Sequence, residues 1–299
     1  GAVTTWSQTA PCWIPASSTS RTPTVPDLPR SFSPSSAGAW NQCPQRWRYR
    51  YIQKLPDPPG EPALLGTFAH RVLELLCAEP ATDRTVERAR ELAGQAWPET
   101  ADNPEFQALG LDDDAQRAFR WRAWTAIHGL WSLEDPAGVD VRATEQRVSA
   151  DVAGVPFFGI VDRLDADEDG LVITDYKSGR TPRPTERSKS LDQVLLYAAA
   201  VENSTGERPH RARLLYLGSE IIETAVTVDA LGATTGRFSE SWRQVGKACA
   251  EDRFETHTGP LCGWCPYVDS CEDGEREVRR RVAAGRMRED APARVLLGL

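Results

Sequence analysis

Between Val141 and Lys177 the chain passes through three stretches rich in β-branched and aromatic residues, 142–152, 155–165 and 170–177. Asp-Val-Ala-Gly and Asp-Glu-Asp-Gly separate them, both turn-forming sequences. This predicts a three-strand meander. Helical periodicity follows over 191–203, then two further strands over 211–217 and 221–228 and a helix over 229–250. The order predicts a mixed α/β core.

The front of the chain is helical. Ser33-Pro34 reads as an N-cap followed by proline at the first helical position. Trp40, Cys43, Trp47 and Tyr51 then repeat at three- and four-residue steps, a helical stripe. Leu55–Pro62 holds four prolines and a glycine and reads as a loop. Ala63–Cys77, 83–97 and 112–131 return to helical spacing. The expected organisation is a flexible tail (1–30), a cluster helix and active-site helix (31–78), a helical insertion (79–140), the sheet-bearing core (141–258), a cysteine loop (259–273) and a helical tail (274–299).

The longest apolar run, Val194–Val201, is far short of the roughly 20 residues that span a bilayer. No membrane association is expected. Net charge is −8, which argues against a sequence-independent nucleic-acid coat built on Lys and Arg. The opening Gly-Ala-Val-Thr-Thr-Trp has no basic stretch before an apolar core, so a cytoplasmic location is expected. Disulfides seldom persist there, and closely spaced cysteines point first to a metal or cluster.

Chemistry concentrates in Gly159-Ile-Val-Asp162-Arg-Leu-Asp and Leu171-Val-Ile-Thr-Asp175-Tyr-Lys177-Ser-Gly. Alternate residues of a strand share a face, so Leu171 and Ile173 anchor the strand while Asp175 and Lys177 emerge at its end. Asp162 on the preceding strand can lie beside Asp175. Two carboxylates and the Tyr176 carbonyl would form an oxygen-rich site suited to Mg2+ or Mn2+. Lys177 beside them can stabilise charge on a phosphate. An Asp-x-Lys alone is usually a solvated surface pattern. Here it ends an apolar strand and precedes a helix on which Gln193 and Tyr197, four apart, face the same way.

These residues resemble the motifs of PD-(D/E)XK nucleases of the RecB-type branch, and Gly66-Thr-Phe-Ala-His70 resembles that branch's helix with an active-site histidine. The resemblance covers about 33–78 and 142–273. It implies a restriction-endonuclease-like mixed sheet flanked by helices and a metal-dependent DNA nuclease. His70, Asp162, Asp175 and the Tyr176 carbonyl would be metal ligands, Lys177 the catalytic lysine, and Gln193 and Tyr197 its supporting motif. Asp175 stands where many relatives have Glu.

Cys262-Gly-Trp-Cys265-Pro-Tyr-Val-Asp-Ser-Cys271 supplies three thiols, and Cys43, followed by Pro44, would complete four. On charge and softness, four thiolates suit structural zinc and an iron–sulfur cluster equally. The one-plus-three arrangement around a RecB-type core is similar to the 4Fe-4S nucleases, AddB and the CRISPR-associated RecB-type enzymes, which implies a 4Fe-4S cluster. Cys12, Cys77 and Cys249 are spare, Cys77 falling on an apolar helical face.

Arg46, Arg48, Arg50 and Lys54 interleave with Trp47, Tyr49 and Tyr51, a pattern used to bind single strands but equally that of a helix with a buried aromatic face. Arg180, Arg183, Arg187 and Lys189 form a second basic strip beside the acidic site. Expected DNA contacts are Arg46, Trp47, Arg48, Arg180 and Arg183, on DNA that is single-stranded or has free ends. There is no Walker-type phosphate loop, so any helicase would be a separate partner. The competing expectations are a non-cleaving DNA-binding or complex-building module of the same fold and a zinc-stapled interaction protein.

Overall fold

The computed structural model describes residues 28–299. The tail expected over 1–30 lies, apart from Leu28–Arg30, outside the described residues, as does Cys12. In chain order the helices are α1 (Pro34–Gln42), a single turn α2 (Pro44–Trp47) continuing into a π-helical turn (Arg48–Ile52), α3 (Glu61–Ala78), α4 (Val86–Ala101), α5 (Pro104–Gln107) and α6 (Asp113–His128). The strands β1 (Asp140–Val152), β2 (Val155–Asp167) and β3 (Gly170–Lys177) follow. After them come α7 (Arg187–Ser190), α8 (Asp192–Thr205), β4 (Arg211–Tyr216), β5 (Glu220–Ala225), α9 (Val228–Glu251), α10 (Glu272–Ala283) and α11 (Pro292–Leu296).

One five-stranded sheet runs in the order β1-β2-β3-β4-β5. It is antiparallel except for β3 and β4, which pair in parallel because α8 connects them as a crossover. This is the mixed sheet the sequence predicts. Ala153 and Gly154, both with positive φ, form a two-residue turn that fixes the β1–β2 register through Val152↔Val155.

Helices cover both faces. On one, α1, α2, α8 and α9 pack Trp40, Trp47, Val194 and Phe238 against Val161 and Ile173. On the other, α3, α4 and α6 bury Phe68, Val72, Leu92 and Phe119 with Tyr176 and Leu215. The expected insertion is therefore part of the layer over the second face. A third cluster, Val268, Val278, Met287 and Ala291, holds the cysteine loop to α10 and α11.

Several boundaries shift by a few residues from expectation, among them the strand expected over 221–228, which ends at Ala225; two shifts have a plain cause. The stripe Trp40–Tyr51 is broken at Cys43, whose extended backbone (φ −165°, ψ 111°) ends α1, and Pro44 restarts the helix. The loop expected through Pro62 ends earlier, because Pro62 sits in the first turn of α3 where it gives up no intrahelical bond.

Candidate active site

The β2–β3 ladder pairs Arg163 with Thr174, and there the regular pairing stops. A side chain takes over: the Tyr176 N–H donates to Asp162 Oδ2 at 2.9 Å. The same oxygen lies 3.3 Å from His70 Nδ1 on α3. Gly66, one turn before His70, makes this approach feasible, since a Cβ there would stand 3.0 Å from Ser178 Oγ at the end of β3.

Asp175 and Lys177 project toward α8. Lys177 Nζ is 2.7 Å from Asp175 Oδ2 and donates to Gln193 Oε1 at 3.0 Å. Gln193 Nε2 donates to Asp175 Oδ1 at 2.9 Å and to the Tyr197 hydroxyl at 3.2 Å. Gly159 lets Tyr197 lie over β2, because a Cβ there would come 2.6 Å from its ring. Burial raises the Asp175 carboxyl to about 6; Lys177 opposes the shift and the charge on Asp162 adds to it. Burial likewise pushes the Tyr197 phenol up to about 12, so it stays protonated.

On the far face of β3 the Tyr176 side chain is clamped. Its hydroxyl accepts from Arg163 Nη1 at 2.6 Å, and the buried Arg163 pairs with Glu134 and Asp165, both at 2.7 Å. Arg213 joins the same two carboxylates at 3.0 and 2.9 Å. Two acids against two guanidiniums balance the buried charge, and the network immobilises the peptide between Asp175 and Lys177.

Sequence reasoning missed Glu145. Its carboxylate, His70 and Asp162 bring donor atoms within 4.8 Å of one another. Glu145 has φ +47°, a conformation costly for a residue with a side chain, and burial with the neighbouring Asp162 charge raises its pKa. The signal was available: Thr144 pairs with Arg163 and Gln146 with Val161, so counting back from the Ala153–Gly154 turn sets Glu145 opposite Asp162.

His70, Glu145 and Asp162 offer two carboxylates and one imidazole, a set that fits a hard divalent cation. Asp175 lies outside that close group, and its buried Oδ2 has no well-aligned hydrogen-bond donor despite the ion pair with Lys177. A groove of about 880 Å³ leads away from Lys177 and Gln193 between α1, α8 and α9, past Lys189, Arg237 and Asn41.

The four cysteines line one cavity of about 240 Å³ between α2 and the cysteine loop. Backbone N–H groups of His257, Gly259 and Gly274 donate to the sulfurs of Cys43, Cys262 and Cys271 at 3.5, 3.4 and 3.3 Å. Among the described residues, no three of these sulfurs come within 4.8 Å of one another. Tetrahedral zinc needs its sulfurs about 3.8 Å apart. Cys77 is buried, 3.5 Å from the Tyr176 hydroxyl, and Cys249 is also buried.

Trp47 and Tyr49 of the first basic strip are not open to a strand. Trp47 is fully buried and donates through Nε1 to Ser36 Oγ at 2.9 Å, so it cannot stack on a base. Tyr49 is buried and bonded to the Ser270 carbonyl. Arg48 pairs with Asp252 at 2.9 Å, and Arg46 is held by Gln42 beside the cysteine cavity. Helical spacing places Trp47 and Tyr49 in the core, and Arg50 pairs with Asp57 at 3.0 Å. Arg180 and Arg183, in contrast, are exposed on the loop after Lys177.

No curated protein sequence matches the chain. Among solved structures it is similar to one from Eubacterium rectale described as "Putative exonuclease", with a TM-score of 0.53 and 12% identity over 81% of this chain and 88% of that one. That likeness is one of fold. The PD-(D/E)XK nuclease superfamily profile matches residues 31–272, from before α1 to the start of α10. With most of its length matched, the chain belongs to the PD-(D/E)XK nuclease superfamily.

Proposed function

We propose that this nuclease is a divalent-metal-dependent DNA exonuclease of the RecB-type branch, working on single strands or free ends in DNA repair or processing. The observation behind it is the pairing of His70 with Asp162 and of Lys177 with Asp175 where β2 and β3 part, with the Asp162 charge felt at Asp175. His70, Asp162, Asp175 and the Tyr176 carbonyl would hold Mg2+ or Mn2+, and Glu145 joins them by position. A bound cation supplies charge neutralisation at the scissile phosphate and a more acidic water.

Lys177 places a positive charge where negative charge develops on the phosphate. Gln193 aims that ammonium by accepting one of its protons while donating to Asp175, and Tyr197 fixes the amide's orientation. The exposed Arg180 and Arg183 and the groove past Lys189 would receive the phosphate backbone. A helicase, if used, acts as a separate partner, and a cytoplasmic setting suits six free cysteines. Among the described residues no helix is long and apolar enough to cross a membrane.

The same proposal assigns a 4Fe-4S cluster to Cys43, Cys262, Cys265 and Cys271, supported by the width of their cage and its N–H donors. Its part would be structural, tying α2 to the C-terminal loop across the whole core.

End-labelled linear single- and double-stranded DNA and a circular single strand, each with Mg2+, Mn2+ or EDTA, test the activity. Metal-dependent nucleotide release from linear DNA is expected. Absence of release from every substrate would leave a non-cleaving module, and cut circles would remove the exonuclease assignment. Anaerobic protein should be brown with about four irons per chain; equimolar zinc without iron would overturn the cluster.

A further inference from the structure

The outer side of the α4–α6 layer differs from the rest of this acidic protein. Between the two helices lies a cleft of about 610 Å³ lined by Phe68, Arg90, Arg117, Arg120, Trp121 and Trp124. Arg90 and Gly94 are four apart on α4. Arg117, Trp121 and Trp124 fall at i, i+4 and i+7 on α6, so each set occupies one helix face. Trp121 is 69% exposed, more than any other tryptophan among the described residues.

Two of the three cations here lack a carboxylate partner. Among the described residues neither Arg90 nor Arg120 has a carboxylate partner; Arg90 sits 5.0 Å over the Trp124 ring and Arg120 4.9 Å over Trp97. Arg117 pairs only with Asp114, and both are largely exposed. No acidic residue lines the cleft. Three guanidiniums and an exposed indole therefore face solvent together, in a chain of net charge −8. A polyanion carrying flat apolar rings answers both features: phosphates pair with guanidiniums, and a base stacks on an indole.

The cleft also lies close to the acidic site. Phe68 lines it, and His70, two residues along α3, faces Asp162. Two residues turn a helix by about 200°, so cleft and acidic cluster sit on opposite sides of one helix roughly 10 Å thick. A strand crossing α3 covers that distance in a few nucleotides.

We propose that the cleft between α4 and α6 is a second contact site for single-stranded nucleic acid, with Trp121 stacking on a base and Arg90, Arg117 and Arg120 holding phosphates. Its place on the strand's route rests on the nuclease function proposed above; its capacity to bind does not. The helical layer then has a task besides covering the sheet, that of gripping the strand across α3 from the acidic cluster.

Gly94 supplies a clean test. A Cβ there meets nothing within 4 Å, and glycine is a poor residue for a helix interior, so Gly94→Glu adds a carboxylate to the cleft without crowding α4. Gly94→Ala controls for the helix effect. Binding of a fluorescent oligothymidylate of roughly 20 nucleotides, long enough for the site and the cleft together, is measured on the full chain in EDTA. Trp121→Ala and Gly94→Glu should each weaken it by roughly 5- to 150-fold, the equivalent of one lost stacked base, with no loss of melting temperature, and Gly94→Ala should keep parental affinity. Arg120→Gln should make the salt dependence shallower by about 0.7 in log–log slope. Parental affinity in Trp121→Ala and Gly94→Glu would overturn the proposal, and so would unchanged affinity with altered self-association, which would mark a protein interface. Affinity lost in these variants while the parent hydrolyses no DNA in Mg2+ or Mn2+ would uphold the cleft and remove the exonuclease assignment instead.

Discussion

Gln193 donates through Nε2 to Asp175 Oδ1 at 2.9 Å, joining the first turn of α8 to the end of β3. The other end of the same amide receives Lys177, so one side chain sets the spacing of a carboxylate and an ammonium. Gln193→Ala should lower kcat about 10- to 100-fold, the usual cost of losing a group that orients a site. KM for DNA should barely move. Tyr197→Phe should cost less, because the amide keeps both other partners. Equal losses in kcat and in thermal stability would show Gln193 to be merely structural.

Asp175→Ala and Lys177→Ala should each abolish cleavage while the fold persists, since both side chains lie at a strand end beyond the apolar anchor Ile173. Glu145→Gln should raise the metal concentration needed for half-maximal activity, with full activity regained at high Mn2+, because its neighbours His70 and Asp162 remain. Wild-type cleavage in Mg2+ by Asp175→Ala would remove the site assignment.

Asp162, Asp175 and Lys177 are legible in the sequence because a strand's period of two, an apolar run and a following helix together fix where charges can emerge. The turns at Ala153–Gly154 and Asp169–Gly170 make the meander readable for the same reason. Glu145 is legible only through the strand register, counted back from the Ala153–Gly154 turn to Asp162; its left-handed φ leaves no mark of its own in the sequence. Trp47 shows the opposite difficulty. An aromatic interleaved with arginines looks the same in sequence whether its face is wet or dry, and only packing of α1 and Phe254 around it decides.

The raised pKa of Asp175 has a stability consequence in metal-free protein. Its folded value of about 6 exceeds the ordinary carboxylate value of 3.8, so between those pH values the folded state holds more proton than the unfolded state. Stability from this group is therefore fully present below about pH 4 and falls as pH rises through 6, at up to roughly 1.4 kcal/mol per unit. Asp175→Asn, which cannot titrate, should gain stability relative to the parent across that window. Urea unfolding in EDTA at pH 4, 5, 6 and 7 measures it, and a difference independent of pH would show that Asp175 does not titrate as described.

Cys265→Ala should bleach visible absorption and lower thermal stability, because one missing thiolate opens the cage between Cys43 and the C-terminal loop. Cys249→Ala, outside the cage, should keep the colour. Loss of stability should appear first as proteolysis within 259–299, since Val268 and Met287 offer that segment only a small core of its own.

Arginines near Lys177 and arginines near Cys43 should separate in salt titrations. Arg183 is exposed and unpaired among the described residues, so Arg183→Gln should weaken DNA binding and reduce the log–log salt slope by about 0.7 for a single strand. Arg48 is already paired with Asp252 and stacked 5.1 Å over Phe254, so Arg48→Gln should leave the slope unchanged. Trp47→Ala should act on the fold instead, costing about 3–5 kcal/mol through the cavity left between Trp40, Tyr51 and Phe254. A Trp47→Ala protein with parental melting temperature and weakened single-strand affinity would return Trp47 to the DNA surface and contradict the packing.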